Sequence, residues 1–318
     1  GNRCLATTDA DDRVRRFASV QETRHSLEAA GYVCTAQIAT VVFLAAATDK
    51  PLLVEGPAGV GKTELAKAVA TALGRSLIRM QCYEGLDEAK ALYEWEYAKQ
   101  LLYTQIVKDK VRDLIGPAES LGAAVERIAA EESAFFSERF LLARPLLKAI
   151  TAADPVVLLI DEVDKSDPEF EAFLLELLSD FQVTIPELGT RRAASIPLVV
   201  LTSNNFRDMS DALKRRCLHL YIDYPDPSQE LAIVRRQVPG LEEDLARRMI
   251  EAMGRIRRLE LKKKPSISET LDWARALIAL QLDTLSPEVV QATLGVICKH
   301  REDAQQVADH SGSVAGSR

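Results

Sequence analysis

Three short runs of apolar residues dominate the first two thirds of the chain. They lie at 52–54, 155–160 and 196–201, and each is followed by glycine or polar residues. Runs of this length and composition are typical of strands that are buried on both faces of a parallel sheet. Between the second and third runs, apolar residues of 170–181 recur at helical spacing. The pattern therefore predicts an α/β fold, with a parallel sheet flanked by helices.

The pattern changes near residue 225. Pro225 and Pro227 end the last strand-like run, and only helical spacing follows. A Gly/Ser-rich segment closes the chain. We therefore expect an N-terminal arm at 1–22, an α/β domain at 23–225 with a helical insertion at about 85–144, a small all-α lid domain at 226–303, and a flexible tail at 304–318.

A glycine-rich segment follows the first predicted strand. It has the sequence Gly56-Pro-Ala-Gly-Val-Gly-Lys-Thr63, which is the spacing of a phosphate-binding loop between a strand and a helix. Glycines let the backbone N–H groups turn inward, and the positive end of the next helix also attracts phosphate. We expect Lys62 to reach the terminal phosphates and Thr63 to hold Mg²⁺. The predicted nucleotide-binding residues are Gly56, Pro57, Ala58, Gly59, Val60, Gly61, Lys62, Thr63 and Glu64.

Two adjacent carboxylates, Asp161 and Glu162, end the second apolar run. Ligands of parallel sheets bind at the carboxyl ends of the strands, so Asp161 is predicted to hold Mg²⁺ together with Thr63. Adjacent strand residues point to opposite sides, which leaves Glu162 free to polarise an attacking water. Asp164 is interpreted as a structural acid.

Polar residues also follow the third run. Asn204 is predicted to orient water near the γ-phosphate, although two asparagines after a strand can simply form a turn. Arg215 and Arg216 precede a further strand-like run. A guanidinium stays protonated and can stabilise transition-state charge on a phosphoryl group. Arg216 is the favoured finger toward a neighbouring subunit, Arg215 is the alternative, and a surface ion pair is the structural interpretation of either.

Composition limits the class of protein. A chain of 318 residues allows about two domains, and its net charge of −7 argues against general nucleic-acid or anionic-membrane binding. The most apolar helix-like run, 38–47, is too short to cross a bilayer. The five cysteines and four histidines show no metal-ligand spacing, and a reducing compartment is the simplest inference. We therefore expect a cytoplasmic protein without membrane insertion.

The order of these motifs resembles that of AAA+ ATPases. Further blocks resemble the MoxR family, and its CoxD-type branch most closely, over residues 25–303 or so. These blocks are Gln81-Cys-Tyr-Glu-Gly-Leu-Asp87, Leu92-Tyr-Glu-Trp95, Phe170-Glu-Ala-Phe-Leu-Leu-Glu176, Val183-Thr-Ile-Pro-Glu-Leu-Gly189 and Glu269-Thr-Leu-Asp-Trp-Ala-Arg275.

The resemblance implies an ATPase that uses ATP and Mg²⁺ and works as a homo-oligomer, in a hexameric ring. It further implies a chaperone that remodels a client metalloenzyme during cofactor maturation, with a partner that carries a von Willebrand factor A domain. CoxD-type members are linked to the molybdenum and copper centre of carbon monoxide dehydrogenase, so that centre is the expected example.

The chain departs from many relatives at the start of a lid helix. Where they carry a sensor arginine, this chain has Pro265-Ser-Ile-Ser-Glu-Thr270, with Ser268 in the arginine's place. Arg275, or a residue of the basic segment 255–264 before it, is a candidate substitute. Without a substitute, hydrolysis would be slow or would depend on a partner. A second hypothesis is therefore a nucleotide-gated scaffold for the von Willebrand partner, with little hydrolysis. A nucleic-acid motor is a third, supported only by Arg191-Arg192 at the expected tip of a hairpin.

Overall fold

The structure, a computed structural model, describes residues 16–99, 101–102, 141–185 and 188–316. Its nine strands among the described residues are β1 (Leu52–Glu55), β2 (Ser76–Gln81), β3 (Tyr93–Trp95), β4 (Leu141–Ala143), β5 (Val156–Asp161), β6 (Gln182–Ile185), β7 (Gly189–Arg192), β8 (Leu198–Ser203) and β9 (Leu218–Tyr221). Three of them, β1, β5 and β8, overlap the three apolar runs of the sequence.

Five of these strands form a parallel sheet with the order β2-β5-β8-β1-β9. The glycine-rich segment follows β1, next to the centre of the sheet, and Asp161 ends β5, two strands away. The carboxyl ends of β1, β5 and β8 therefore meet at one edge, as the sequence predicts.

Helices cover both faces of the sheet and form the C-terminal region. They are α1 (Val20–Ala29), α2 (Ala36–Thr48), α3 (Lys62–Leu73), α4 (Glu88–Leu92), α5 (Pro145–Ile150), α6 (Pro168–Asp180), α7 (Asp211–Arg216), α8 (Pro227–Gln237), α9 (Glu243–Arg258), α10 (Ile267–Ala279), α11 (Pro287–Ala292), α12 (Leu294–Ile297), α13 (Arg301–Asp309) and α14 (Ser311–Ala315).

Successive residues of the central strands enter different hydrophobic clusters. On β5, Leu158 and Ile160 pack with α5 and α6, whereas Val157 and Leu159 pack with α2 and α3 on the other face. A strand that is buried on both faces needs apolar residues at consecutive positions, which explains the continuous runs in the sequence. The predicted fold class, a parallel α/β sheet followed by helices, is confirmed.

The helical region, defined here as residues 227–316, has its own core around Trp273 and Met253, both fully buried. Its helix starts are encoded locally. Asp226 with Gln229 and Ser266 with Glu269 form capping boxes at the starts of α8 and α10. None of the helices in the described residues is long and apolar enough to cross a membrane.

The predicted flexible tail is wrong. Helices α13 and α14 occupy most of 304–318, and Val307 and Val314 are buried in the core of the helical region. The two valines supply the apolar contacts that order this Gly/Ser-containing segment. At the other end, residues 1–15 of the predicted arm lie outside the described residues, while Phe17 is already buried.

The predicted helical insertion is corrected at both of its described ends. Tyr93–Trp95 is a strand, and it pairs antiparallel with Leu141–Ala143. Trp95 is buried by this pairing with a distant segment, which local helical spacing does not reveal. The rest of the insertion, including the predicted break at Gly116-Pro117, lies largely outside the described residues.

A hairpin of β6 and β7 follows α6, where the sequence predicts one. Its two arginines are not at the tip, however. Arg191 and Arg192 lie within β7, and their Cα atoms face Val183 and Gln182 across the ladder. The expectation of a basic hairpin tip is therefore wrong.

Candidate functional site

The glycine-rich segment curves closely around its neighbours. A Cβ atom on Gly56 would lie 1.9 Å from the backbone oxygen of Ile222, so only glycine fits there. The ammonium group of Lys62 donates to the backbone oxygens of Gly56 and Pro57, both at 2.6 Å. Burial lowers the pKa of Lys62, while the charges of Asp164, Asp161 and Glu162 oppose this shift. The lysine is thus held inside the loop with three acids nearby.

Thr63 and Asp161 come together from the first turn of α3 and the end of β5. The Thr63 hydroxyl donates to both carboxylate oxygens of Asp161, at 3.1 and 3.2 Å. Thr202 on β8 donates to Asp161 Oδ1 at 2.5 Å and fixes the carboxylate. A hydroxyl and a carboxylate supply the hard oxygen ligands that Mg²⁺ prefers, so these two residues fit a magnesium site.

Glu162 turns away from Asp161, but not by strand alternation. It follows the end of β5 and has φ of +54°, a left-handed conformation that is uncommon for glutamate. Its backbone N–H donates to Thr202 Oγ1 at 2.9 Å, and Asn204 Nδ2 donates to its Oε1 at 3.1 Å. Gln81 and Lys165 contact Oε2, at 2.9 and 2.5 Å. The structure therefore brings the predicted Glu162 and Asn204 together.

Asp164, interpreted from the sequence as a structural acid, has a structural role beside the site. Its side chain is buried, and Oδ2 accepts the backbone N–H groups of Asn204 at 3.0 Å and Phe206 at 2.8 Å. Oδ1 is buried without a hydrogen-bond partner among the described residues. Asp164 thus anchors the loop that carries Asn204. Its position two residues after Glu162 was the available signal.

Two polar residues of β2 were not predicted as site residues, although Gln81 begins one of the blocks that resemble the MoxR family. Arg79 donates to Asp161 Oδ2 at 2.6 Å and to Gln81 Oε1 at 3.1 Å, and Gln81 in turn contacts Glu162. Both lie on one face of β2, because residues two apart in a strand share a face. Their alternation with Ile78 and Met80 was the only signal in the sequence.

A cavity of about 470 Å³ opens between the glycine-rich segment and the helical region. Burial raises the pKa of Tyr32, which lines it. Ser268, in the place expected for a sensor arginine, also faces this cavity, whereas Arg275 pairs with Asp272 at 3.1 Å on the surface. Further lining residues include Val33, Ile38, Val60, Gly61, Tyr224 and Leu271.

Arg215 and Arg216 are not part of this cluster. Both are exposed in the last turn of α7. Among the described residues, the side chains that contact the carboxylates of Asp161 and Glu162 are those of Arg79, Thr63, Thr202, Gln81, Asn204 and Lys165. An exposed arginine remains available to another chain.

Comparison with known proteins identifies the family of the chain. The AAA domain family, dynein-related subfamily, matches residues 51–217. Protein NorQ of Paracoccus denitrificans is 25% identical over 223 residues, which are 68% of each chain. Chaperone protein ClpB 2 of Parasynechococcus marenigrum is 30% identical over 149 residues, 47% of this chain and 13% of that protein. Among solved structures, the Thermotoga maritima RuvB Holliday junction branch migration motor has 16% identity and a TM-score of 0.44, over 89% of this chain and 72% of that one.

Proposed function

The chain belongs to the dynein-related subfamily of AAA domains and to the MoxR family of AAA+ ATPases, and we propose that it hydrolyses ATP to remodel a client protein. The observation that carries the proposal is the cluster of Thr63, Asp161, Glu162 and Asn204 beside the glycine-rich loop. Each of these side chains has the chemistry that phosphoryl transfer to water needs.

The residues divide the reaction between them. The loop from Gly56 to Thr63 and the ammonium group of Lys62 would bind the phosphates, and Thr63 and Asp161 would hold Mg²⁺. The bound ion would neutralise charge on the phosphates. Glu162 accepts a proton from water as the water oxygen bonds to the γ-phosphorus, and the bond from phosphorus to the bridging oxygen breaks to leave ADP. Asn204, which contacts Glu162, orients that water.

The biological role follows from the MoxR relationship. We infer that the protein forms a homo-oligomeric ring of six subunits. In this ring, Arg216 or Arg215 reaches the nucleotide that is bound to the neighbouring subunit. Their exposure on α7 supports that assignment. The partner with a von Willebrand factor A domain, the client metalloenzyme, the CoxD-type role at the molybdenum and copper centre, and the cytoplasmic location belong to the same proposal.

One observation favours a second candidate, the nucleotide-gated scaffold. Ser268 cannot supply the charge of a sensor arginine, and Arg275 is held by Asp272 on the surface. A lid that lacks this contact would respond less directly to the γ-phosphate, and hydrolysis would then depend on a partner.

ATP turnover across a series of protein concentrations tests the choice, with mass photometry to follow assembly. We expect turnover to rise as rings form, and to disappear in Glu162→Gln and in one of Arg216→Ala and Arg215→Ala. The other arginine variant then serves as the matched control, since both remove one exposed charge from α7. Assembly and ATP binding without turnover would contradict the proposed hydrolysis and favour the scaffold.

A further inference from the structure

The carboxylate of Asp161 is contacted by a positive side chain of its own domain. Arg79 Nη2 lies 2.6 Å from Asp161 Oδ2. The side chain of Asp161 is only 4% exposed, whereas that of Arg79 is 51% exposed. A bond between a guanidinium and a carboxylate is charge-assisted and stronger than one between neutral groups. Arg79 therefore holds the carboxylate that is proposed to bind the metal.

The other contacts of Asp161 leave little room for both cations. Oδ1 accepts hydrogen bonds from Thr202 and Thr63, and Oδ2 accepts from Arg79 and, at longer distance, from Thr63. An ion beside Thr63 and Asp161 would share this carboxylate with a guanidinium of the same sign. Like charges that share one anionic partner repel each other, so each disfavours the other.

We propose that Arg79 competes with Mg²⁺ for Asp161 and so sets the Mg²⁺ concentration that the nucleotide site requires. The inference rests on the proposed function, because the metal arrives with a nucleotide. It assigns to Arg79 a regulatory contact with Asp161.

The surroundings of Arg79 allow it to move. Strand β2 is at the edge of the sheet, and Arg79 borders a cavity of about 480 Å³ that Tyr83, Lys90 and Glu94 also line. The cavity provides space beside the guanidinium, and the Arg79 side chain is already half exposed. Since Arg79 also donates to Gln81, and Gln81 donates to Glu162, its departure changes the surroundings of both acids.

A fluorescence titration with mant-ADP measures the competition without any need for turnover. The complex of protein and mant-ADP is formed in EDTA, Mg²⁺ is then added in known free concentrations, and the half-saturating value is read from the fluorescence. For Arg79→Ala we expect that value to fall about fivefold, the size of a modest ion pair. Arg79→Lys keeps the charge but not the planar guanidinium, so its half-saturating Mg²⁺ concentration should lie between those of the unmodified protein and Arg79→Ala.

Lys90→Ala is the matched control. Lys90 lines the same cavity and carries the same charge, but its ammonium group pairs with Asp87 at 2.9 Å. Its half-saturating Mg²⁺ concentration should equal that of the unmodified protein. Affinity for mant-ADP in EDTA should be the same in all four proteins.

Three results would overturn the inference: an unchanged value in Arg79→Ala, a rise in that value, or an equal fall in Lys90→Ala. An equal fall in Lys90→Ala would show that the effect comes from the overall charge of the protein and not from the contact with Asp161. Failure of the unmodified protein to bind mant-ADP both in EDTA and at saturating Mg²⁺ would instead defeat the proposed function, and the inference with it. If Arg79→Ala did not fold, as judged by circular dichroism, Arg79→Lys against the unmodified protein would decide the matter.

Discussion

Asp161, Glu162 and Asp164 lie within four positions of the chain, yet their carboxylates have different partners. Asp161 contacts a hydroxyl of the phosphate-binding loop, Glu162 contacts Asn204, and Asp164 accepts backbone N–H groups of the loop that carries Asn204. The left-handed backbone at Glu162 separates the first two. Acids that are neighbours in sequence thus serve metal binding, proton transfer and positioning.

Glu162→Gln should bind ATP with unchanged affinity and lose turnover by at least about a hundredfold, because the amide keeps the shape of the side chain but is a poor proton acceptor. Phosphate release and mant-ATP titration measure the two effects separately. Lys62→Ala is the contrasting variant, since it should lose tight binding itself. Normal turnover in Glu162→Gln would disprove the assigned role.

Asp164→Ala should destabilise the protein by about 2–4 kcal/mol, because two backbone N–H groups would lose their buried acceptor. Turnover should fall as well, since Asn204 would lose its anchor. Urea unfolding and phosphate release provide the measurements. Asp208→Ala, which removes an exposed acid from the same loop, is the control and should change the free energy of unfolding by less than about 0.5 kcal/mol. Equal effects of the two substitutions would refute the anchoring role.

Among the helices, Arg257 on α9 forms a largely buried ion pair within the helical region, since its side chain is 15% exposed and that of Glu230 is 2% exposed. Arg257 binds Glu230 on α8 through two bonds, at 2.7 and 2.8 Å, and donates to Thr270 on α10 at 3.0 Å. Its guanidinium also lies 5.7 Å from the ring centre of Tyr224, which lines the cavity. The arginine thus joins three helices and the segment that leads into them.

Arg257→Met should cost about 3–5 kcal/mol of unfolding free energy, because Glu230 would remain buried without its partner. Arg247→Met on the same helix removes an exposed pair with Glu243 and should cost at most about 0.5 kcal/mol. Denaturant unfolding compares the two. If both substitutions lowered the free energy of unfolding by the same small amount, the ion pair of Arg257 and Glu230 would not be what holds these helices together.

At the scale of the whole molecule, the α/β part and the helical region meet at the phosphate-binding loop. Gly59 has φ of +77°, and a Cβ atom there would lie 2.1 Å from the hydroxyl oxygen of Ser266, at the start of α10. The loop and the helical region therefore approach as closely as glycine permits. If the loop shifts when it binds phosphate, we therefore expect the start of α10 to shift with it.

Gly59→Ala should push α10 away from the loop, lower the affinity for ATP about tenfold or more, and speed hydrogen exchange at the start of α10. Gly74→Ala is the control, because Gly74 also has positive φ, +63°, but nothing lies within 4 Å of its added Cβ. The free energy of unfolding of Gly74→Ala should fall only by the backbone strain of about 1 kcal/mol. Equal rates of hydrogen exchange at the start of α10 in the two variants would show that the contact between Gly59 and Ser266 does not hold this helix in place.

Much of the fold and half of the site could be predicted because their signals are local. Consecutive apolar residues reveal the strands of a sheet covered on both faces, and residues 56–63 hold the whole phosphate-binding spacing in one turn. The acids at 161 and 162 are marked by the strand that they end. In these places the chemistry and its structural context lie within about ten residues, so both can be predicted without knowledge of the fold.

Features that depend on contacts between distant segments of the chain could not be predicted and are seen only in the tertiary structure. Arg79 meets Asp161 across 82 positions, Tyr93–Trp95 finds its strand at 141–143, and the last valines are ordered by the core of the helical region. Side chains of this kind are compatible with several local structures. The contact that selects one of them forms only when the chain brings together segments far apart in sequence, because burial and pairing energies come from that contact.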